Sequence, residues 1–262
     1  MNSVKEQPIA GFSLNKMVQI PSGVFVMGAE TSGWGDSEYP AHSVQIASFL
    51  LDTHHVTNAQ FRLFTTETKY NTSAEKSGSA FGYQHGLIKL IGGLSWRTYA
   101  TNDRENHPVV LVSWNDANAY SHWAGKRLVT EAEWEYAARG GRGSKSYPWG
   151  DEEASSTYCN MGRSVIDTPP TSTVMSYSAN NFGLFDMAGN VWDLCADYFD
   201  ETYYQHSPIE NPNGPASGEF ICRRGASFNI IQPFRCRNAN RGAFPIDSFA
   251  INVGFRCAKT LN

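Results

Sequence analysis

Three features that often reveal a protein's class are missing from this sequence. It carries 21 lysines and arginines against 25 aspartates and glutamates, so it has no basic surface of the kind that binds nucleic acid. No apolar run approaches the roughly 20 residues of a transmembrane helix, and residues 1–16 lack the apolar stretch of a signal peptide. We therefore expect no nucleic-acid partner and no transmembrane segment. The expected location is cytoplasmic, or extracytoplasmic at the cell surface if a signal has been removed.

Cysteine is scarce and irregularly spaced. The five cysteines are Cys159, Cys195, Cys222, Cys236 and Cys257, with no CxxC pair and no spacing typical of a zinc site. An odd number leaves at least one thiol without a disulfide partner. Because unpaired cysteine is among the most buried residue types, buried thiols are the favoured interpretation. A disulfide between two of the last three stays open.

Turn-forming and aromatic residues are abundant. The chain has 23 Gly and 12 Pro, and 13% of its residues are aromatic, which predicts many turns and little long regular structure. A hydrophobic fraction of 41% is sufficient for a real core. We predict an N-terminal tail over residues 1–16 and a single α+β domain over residues 17–260.

Local patterns place the first elements. Val18–Met27 alternates apolar and polar residues around a Pro-Ser-Gly turn, which predicts strand, turn and strand. His42–Leu51 alternates again and should be one strand. Thr57 and Gln60 form a capping box and predict a helix that extends to about Glu67.

Two more capping boxes, Ser113 with Asp116 and Thr130 with Glu133, predict two further helices, and Gly140 ends the second. Between the first helix and these two, residues 70–106 are rich in Gly, Ser and Asn. A segment this long is predicted to be an ordered loop that serves function or packing. From residue 148 onward the sequence predicts short strands and long loops.

Several separated motifs together carry a family resemblance. They are His107-Pro108-Val109-Val110, Ser113-Trp114-Asn115-Asp116-Ala117, Trp123-Ala124-Gly125-Lys126-Arg127-Leu128, residues 130–141, Tyr147-Pro148-Trp149-Gly150-Asp151, residues 183–193 and Gly254-Phe255-Arg256. In this order they resemble the formylglycine-generating enzyme, or sulfatase-modifying factor, family. The resemblance implies that family's variant of the C-type-lectin fold, with small twisted antiparallel sheets, two to three helices and much loop.

The resemblance also implies where catalytic residues would lie. Oxidases of this family carry two cysteines shortly after a Gly-Gly-Ser-Tyr element, and these soft thiolate ligands bind copper. Here the matching element is Gly225-Ala226-Ser227-Phe228, and residues 229–235 after it contain no cysteine. Cys236 lies beyond the pair. We therefore expect no copper and assign no catalytic residue.

Calcium is the one cofactor that the resemblance suggests, as a structural ion at two sites. Carboxylates and backbone oxygens suit this hard cation. The residues that match the first site are Asn160, Met161, Asp167 and Pro169. The residues that match the second site are Ala188, Gly189, Val191 and Asp193.

The C-terminal region, at about residues 226–253, has an unusual residue mixture. Its non-frame positions hold only residues that an Asn codon can reach by replacing adenines, which resembles the variable region of diversity-generating retroelement target proteins. The predicted ligand-binding residues are Phe228, Asn229, Ile230, Ile231, Phe234, Asn238, Asn240, Gly242, Ala243, Phe244, Ile246, Ser248, Phe249, Ala250, Ile251 and Asn252. Exposed aromatic patches usually mark interaction surfaces, although Phe and Ile are equally at home in strand cores.

The main functional prediction is therefore a non-catalytic ligand-binding protein whose diversified C-terminal loops bind an unknown protein or surface ligand. The first alternative is a formylglycine-generating-enzyme-like oxidoreductase without the family's cysteine pair, acting on a peptide or small molecule. The second alternative is an inactive paralogue that binds sulfatase-like partners.

Overall fold

A computed structural model of the chain describes residues 16–30, 36–143 and 145–261. The predicted N-terminal tail lies outside these residues, apart from Lys16. The helices are α1 (Asn58–Thr68), α2 (Ser73–Ser77), α3 (Trp96–Tyr99), α4 (Trp114–Trp123) and α5 (Glu131–Arg139). The first six strands are β1 (Met17–Ile20), β2 (Gly23–Met27), β3 (His42–Ile46), β4 (Phe49–Asp52), β5 (Ser79–Gln84) and β6 (Leu87–Gly92). The remaining six are β7 (Arg127–Leu128), β8 (Trp192–Tyr198), β9 (Phe220–Arg224), β10 (Arg241–Pro245), β11 (Val253–Gly254) and β12 (Cys257–Thr260).

The described strands form two four-stranded sheets and two hairpins. One sheet has the order β1-β4-β12-β7 and joins the N-terminal strands to the C-terminal one. The other has the order β10-β9-β8-β11, and all its pairs are antiparallel except β8 with β11. The hairpins are β2-β3 and β5-β6. The fold is thus α+β, with small, mostly antiparallel sheets and much loop, as the sequence predicts.

The three predicted capping boxes are all present. The side chains of Thr57, Ser113 and Thr130 accept hydrogen bonds from the backbone three residues on, and the N3 side chains bond back. Gly140 ends α5 in the left-handed conformation, with φ at 58°, which glycine adopts without steric cost. These three helix starts are therefore fixed by local sequence alone.

The single strand predicted over His42–Leu51 is wrong, because the segment divides into β3 and β4. Ser48 donates to the Ile20 carbonyl at 2.9 Å, and the Ala47 N–H donates to Asn211 Oδ1 at 2.7 Å. At these two residues the chain leaves its pairing with β2 and joins β1 in another sheet.

The predicted loop over residues 70–106 is instead largely regular. It contains α2, the β5-β6 hairpin, α3 and a short 3₁₀ helix, Asn102–Arg104. His85 and Gly86 both have positive φ, which a tight two-residue hairpin turn requires. No helix of the described residues is long and apolar enough to cross a membrane.

Helix α5 lies at the centre of the molecule, with all nine residues buried. Trp134 and Ala137 pack into an apolar cluster with residues of the first sheet, including Leu51. The carboxylates of Glu131 and Glu135 instead meet buried arginines of the second sheet. The helix thus ties the two sheets together through both apolar packing and charge.

Candidate functional site

The predicted ligand-binding residues at the C-terminus do not form an exposed face. Five of the sixteen are buried: Phe228, Asn238, Asn240, Phe244 and Ile251. Among the sixteen, only Ile231 is largely exposed, at 71% of its surface. The remaining ten are intermediate: Asn229, Ile230, Phe234, Gly242, Ala243, Ile246, Ser248, Phe249, Ala250 and Asn252. Phe228 and Ile251 belong to an apolar cluster with Val110 and Leu111. Five of the sixteen residues are therefore buried in the scaffold, and ligand binding by the other eleven stays a prediction.

Two asparagines of this set have structural partners. Asn238 Nδ2 donates to the Lys145 carbonyl at 3.0 Å, and its own carbonyl accepts from Arg224 at 2.6 Å. Asn240 Nδ2 donates to Glu38 Oε1 at 2.9 Å. Each side chain thus has one scaffold contact through its amide nitrogen, whereas the Oδ1 atoms of Asn238 and Asn240 are buried without a hydrogen-bond partner among the described residues.

A cavity of about 590 Å³ lies beside the β5-β6 hairpin. Its volume is typical of sites for small molecules or short peptide segments. Its lining residues come from the hairpin, α3, the adjoining 3₁₀ helix and one loop: Tyr83, Gln84, Ile91, Leu94, Thr98, Tyr99, Thr101, Asp103, Arg104, Asp167 and Thr168.

Arg104 is the main polar group of the cavity wall. Its guanidinium donates to the Pro169 carbonyl at 2.8 Å and to Thr171 Oγ1 at 2.5 Å. Burial lowers the pKa of Arg104 and, together with the Arg104 charge, lowers the pKa of His107. Burial, and then the charge of Asp167, raises the pKa of Tyr99. At neutral pH the wall therefore offers a phenol donor, a fixed cation and a neutral imidazole behind it.

The cavity wall packs directly against the C-terminal segment. Leu94 and Tyr99 line the cavity and belong to the same apolar cluster as Phe228. Phe228 closes the Gly-Ala-Ser-Phe element, after which the family's oxidases carry their cysteine pair. The residues that line the cavity lie between Tyr83 and Thr168, so the C-terminal segment is linked to the cavity through a shared apolar cluster and does not itself line it.

Sequence reasoning missed the cavity residues. The segment from residue 70 to residue 106 was predicted to serve function or packing, but its glycine-rich composition indicates neither a hairpin nor a pocket. The one usable signal was the His85-Gly86 pair between two apolar runs, which is typical of a hairpin turn.

All five cysteines are buried and none forms a disulfide. A hydrogen bond with the Cys236 thiol, and then burial, raises the pKa of Cys159. Burial is also the main cause that raises the pKa of Cys195, Cys222 and Cys257. Because the thiolate is the nucleophile and metal ligand, these thiols are poorly suited to surface chemistry.

The first predicted calcium set has oxygens that already accept hydrogen bonds. Asp167 Oδ1 accepts from the His85 N–H at 2.7 Å, and the Pro169 carbonyl accepts from Arg104. The Asn160 carbonyl accepts from the Asn190 N–H at 2.8 Å, and Met161 is buried. The Arg104 guanidinium would repel a calcium ion bound to the Pro169 carbonyl. Calcium at this site stays a prediction.

The second predicted set has its only carboxylate in an ion pair. Asp193 Oδ2 accepts from Arg256 Nε at 2.9 Å and from Trp134 Nε1 at 2.8 Å. The Gly189 N–H donates to the Gly225 carbonyl at 2.7 Å, and Ala188, Gly189 and Val191 are buried. Asp193 Oδ2 is therefore already engaged, and calcium at this second site also stays a prediction. No group of three or more His, Cys, Asp or Glu side chains in the described ranges is placed to bind a metal ion.

Comparison with known families decides the classification. Residues 2–261 match the family described as sulfatase-modifying factor enzyme 1-like domain. The chain belongs to this family. It is 41% identical to the formylglycine-generating enzyme of Streptomyces coelicolor, covering 94% of this chain and 90% of that enzyme. The Mus musculus formylglycine-generating enzyme is 37% identical, over 94% of this chain and 75% of its own length. The Mus musculus inactive C-alpha-formylglycine-generating enzyme 2 is 34% identical, over 93% and 85%.

Solved structures give the same fold. The structure of PvdO from Pseudomonas aeruginosa superposes with a TM-score of 0.75 and 26% identity, over 94% of this chain and 95% of that one. The variable protein 1 of Treponema denticola gives a TM-score of 0.68 and 21% identity, over 93% of this chain and 94% of that one. At that identity the second likeness shows the fold alone.

The prediction of a diversity-generating retroelement target protein is therefore wrong as the main function. Relatives at 37–41% identity over more than nine-tenths of this chain are formylglycine-generating enzymes. The residue mixture at the C-terminus misled because codon composition carries no information about burial. The first alternative, a formylglycine-generating-enzyme-like protein without the cysteine pair, agrees better with these relatives.

Proposed function

We propose that this family member has a formylglycine-generating-enzyme-like function and oxidises a peptide or small molecule without the family's cysteine pair. The observation that carries the proposal is the cavity of about 590 Å³, whose lining residues Leu94 and Tyr99 share an apolar cluster with Phe228 of the C-terminal segment. Identity of 41% to a formylglycine-generating enzyme over 94% of the chain supports the same class of function.

The lining residues suit an extended, partly polar substrate. Thr98, Thr101 and Gln84 offer hydroxyl and amide groups that pair with peptide N–H and C=O groups. Tyr83 and Ile91 supply apolar surface on the hairpin side. In this proposal the chain's own residues bind and orient the substrate, and the buried thiols take no direct part.

A substrate panel tests the proposal. The candidate substrates are cysteine-containing peptides and small thiols. Each is incubated with the purified protein in air and in the presence of a thiol reductant, and the products are identified by mass spectrometry. Thr101 is exposed at the cavity, so Thr101→Trp should fill the mouth and reduce turnover at least tenfold without affecting folding. Thr66→Trp, at an exposed position on α1, is the matched control and should leave turnover unchanged. Equal turnover in both variants would place the chemistry elsewhere.

A second candidate is an inactive family member that binds a sulfatase-like client. It is favoured by the absence of cysteine from residues 229–235 and by the 34% identity to an inactive formylglycine-generating enzyme 2. The same panel separates the two candidates. Peptide binding that Thr101→Trp abolishes, with no change in peptide mass, selects the inactive client-binding function.

A further inference from the structure

Two neighbouring arginines on β9 have opposite surroundings. Arg224 is fully buried and pairs with Glu131 at 3.2 Å and with Glu135, and it also donates to two backbone carbonyls. Arg223, on the other face of the strand, makes no ion pair and donates no hydrogen bond to any residue that the structure describes. Its Nε is buried without an acceptor. An unpartnered buried donor is costly, and since Arg223 as a whole is only half-buried, a partner from solvent can reach the guanidinium.

Aromatic rings hold the Arg223 guanidinium in place. Its central carbon lies 4.7 Å from the Trp192 ring centroid and 5.5 Å from that of Phe244. Cation–π contacts of this kind position a guanidinium by its planar face. The N–H groups at the edge of the Arg223 guanidinium are not used by these ring contacts and remain able to donate hydrogen bonds to a ligand.

A glycine lies next to that edge. Gly242 pairs with Arg223 across β9 and β10, and a Cβ at residue 242 would lie 3.3 Å from Arg223 Nε. Any larger side chain at residue 242 would therefore crowd the guanidinium of Arg223 at Nε.

The neighbouring charge that acts on Arg223 is also positive and comes from Arg235. Burial, and then the nearby charge of Arg235, lowers the pKa of Arg223 to about 10. Arg235 is exposed, lies over the Phe234 ring at 5.7 Å and, within the described ranges, takes part in no ion pair. Two adjacent cations without a carboxylate produce a positive potential that an anion would relieve.

We propose that Arg223 and Arg235 form an oxyanion-binding site, in which the Arg223 fork binds a carboxylate, phosphate or sulfate group in bidentate fashion. The guanidinium fork matches two oxygens of such a group, and Arg235 supplies a second positive charge at the solvent side. This site goes beyond the proposed function and does not depend on it, since its ligand can be substrate, effector or partner.

Calorimetric titration at low ionic strength tests the site, with acetate, inorganic phosphate and sulfate as separate probes. Preference for acetate identifies a planar carboxylate ligand, and preference for phosphate or sulfate identifies a tetrahedral one. Arg223→Met should weaken binding by about tenfold or more, because a hydrogen-bonded charge pair is worth roughly 1.5–3 kcal/mol. Arg223→Lys keeps the charge without the fork and should give an intermediate loss.

Controls make the result decisive even if Arg223→Met folds poorly. Arg235→Met changes an exposed residue and should weaken binding by about threefold through charge alone. Lys259→Met removes the same charge from an exposed position on β12 and should leave affinity unchanged. Arginine Nε–Hε NMR signals should show one strongly shifted resonance, absent from Arg223→Lys. The proposal would be overturned if the wild-type protein bound none of the probes at millimolar concentration. It would also be overturned if Arg223→Met and Arg235→Met bound the probes as tightly as the wild type.

Discussion

Arg256 donates through Nε to Asp193 Oδ2 at 2.9 Å, and both side chains are almost completely buried. The two other guanidinium nitrogens donate to the carbonyls of Phe185 at 3.1 Å and Asp186 at 3.0 Å. Trp134 of α5 donates to the same carboxylate oxygen. One arginine from the terminal Gly-Phe-Arg element thus fixes a loop, a strand and the central helix relative to one another.

The first prediction concerns pH. Burial alone would raise the pKa of Asp193, but the charges of Arg256 and His55 and two hydrogen bonds outweigh it and lower the pKa to about 2. A lowered carboxyl pKa adds stability above the unfolded-state value near 4, and that stability is lost as the pH falls toward 2. The shift from 3.8 to about 2 corresponds to roughly 2 kcal/mol.

Urea unfolding of the wild type and Asp193→Asn at several pH values measures this effect. Near neutral pH the variant should lose about 3–5 kcal/mol, because Arg256 is left buried without its partner. As the pH falls below about 4, the Asp193 carboxyl of the unfolded wild-type chain takes up a proton before that of the native state, so the wild type loses stability and the difference between the two proteins should narrow. A difference that stays constant down to the acid limit would contradict the assigned pKa.

The second prediction concerns the buried charges of α5. Arg224→Met leaves the Glu135 carboxylate without one of its buried partners and should lower the free energy of unfolding by about 3–5 kcal/mol. Arg97→Met breaks a pair with Glu75 in which the arginine is half exposed, and it should cost no more than about 1 kcal/mol. Equal costs in chemical denaturation would mean that burial does not control these ion pairs.

The sequence predicted those features that local chemistry controls. The capping boxes at Thr57, Ser113 and Thr130 satisfy backbone donors within one turn, so they form wherever those helices lie. The β5-β6 hairpin was missed because Leu87, Ile88 and Leu90 are exposed. An exposed apolar strand lacks the alternation by which half-buried strands are recognised.

Burial of the C-terminal segment could not be predicted either. Phe228 and Ile251 are buried by Val110 and Leu111, which are more than a hundred residues away in sequence. A contact between such distant segments leaves no local pattern. The same holds for the cavity, whose wall brings residues 83–104 together with Asp167 and Thr168 only in the folded chain.

The third prediction concerns thiol reactivity. With all five cysteines buried and the pKa of Cys195, Cys222 and Cys257 raised mainly by burial, the native protein should react with an aromatic disulfide reagent only at its unfolding rate. Unfolding in urea should release all five. Rapid reaction of any native thiol would show a reactive group that this structure does not contain.

The fourth prediction concerns calcium. Because Asp167 Oδ1 and the Pro169 carbonyl accept hydrogen bonds, and Asp193 Oδ2 is paired with Arg256, we expect calcium to raise the melting temperature by less than about 1 °C after treatment with a chelator. A ligand that binds only the folded state raises this temperature in proportion to its binding free energy. A concentration-dependent rise that Asp167→Asn abolishes and Glu201→Gln, at another exposed carboxylate, leaves intact would establish the first predicted site.

The fifth prediction separates the scaffold and surface interpretations of the C-terminal segment at two residues only three positions apart. Phe228 is completely buried, whereas Ile231 is 71% exposed. Phe228→Ala should therefore destabilise the protein by about 3–5 kcal/mol through lost burial and the cavity left behind. Ile231→Ala, which touches no core cluster, should change the free energy of unfolding by no more than about 0.5 kcal/mol. Urea denaturation of the two variants measures both values. A Phe228→Ala variant as stable as the wild type would contradict the packing of this ring in the apolar cluster with Val110 and Leu111.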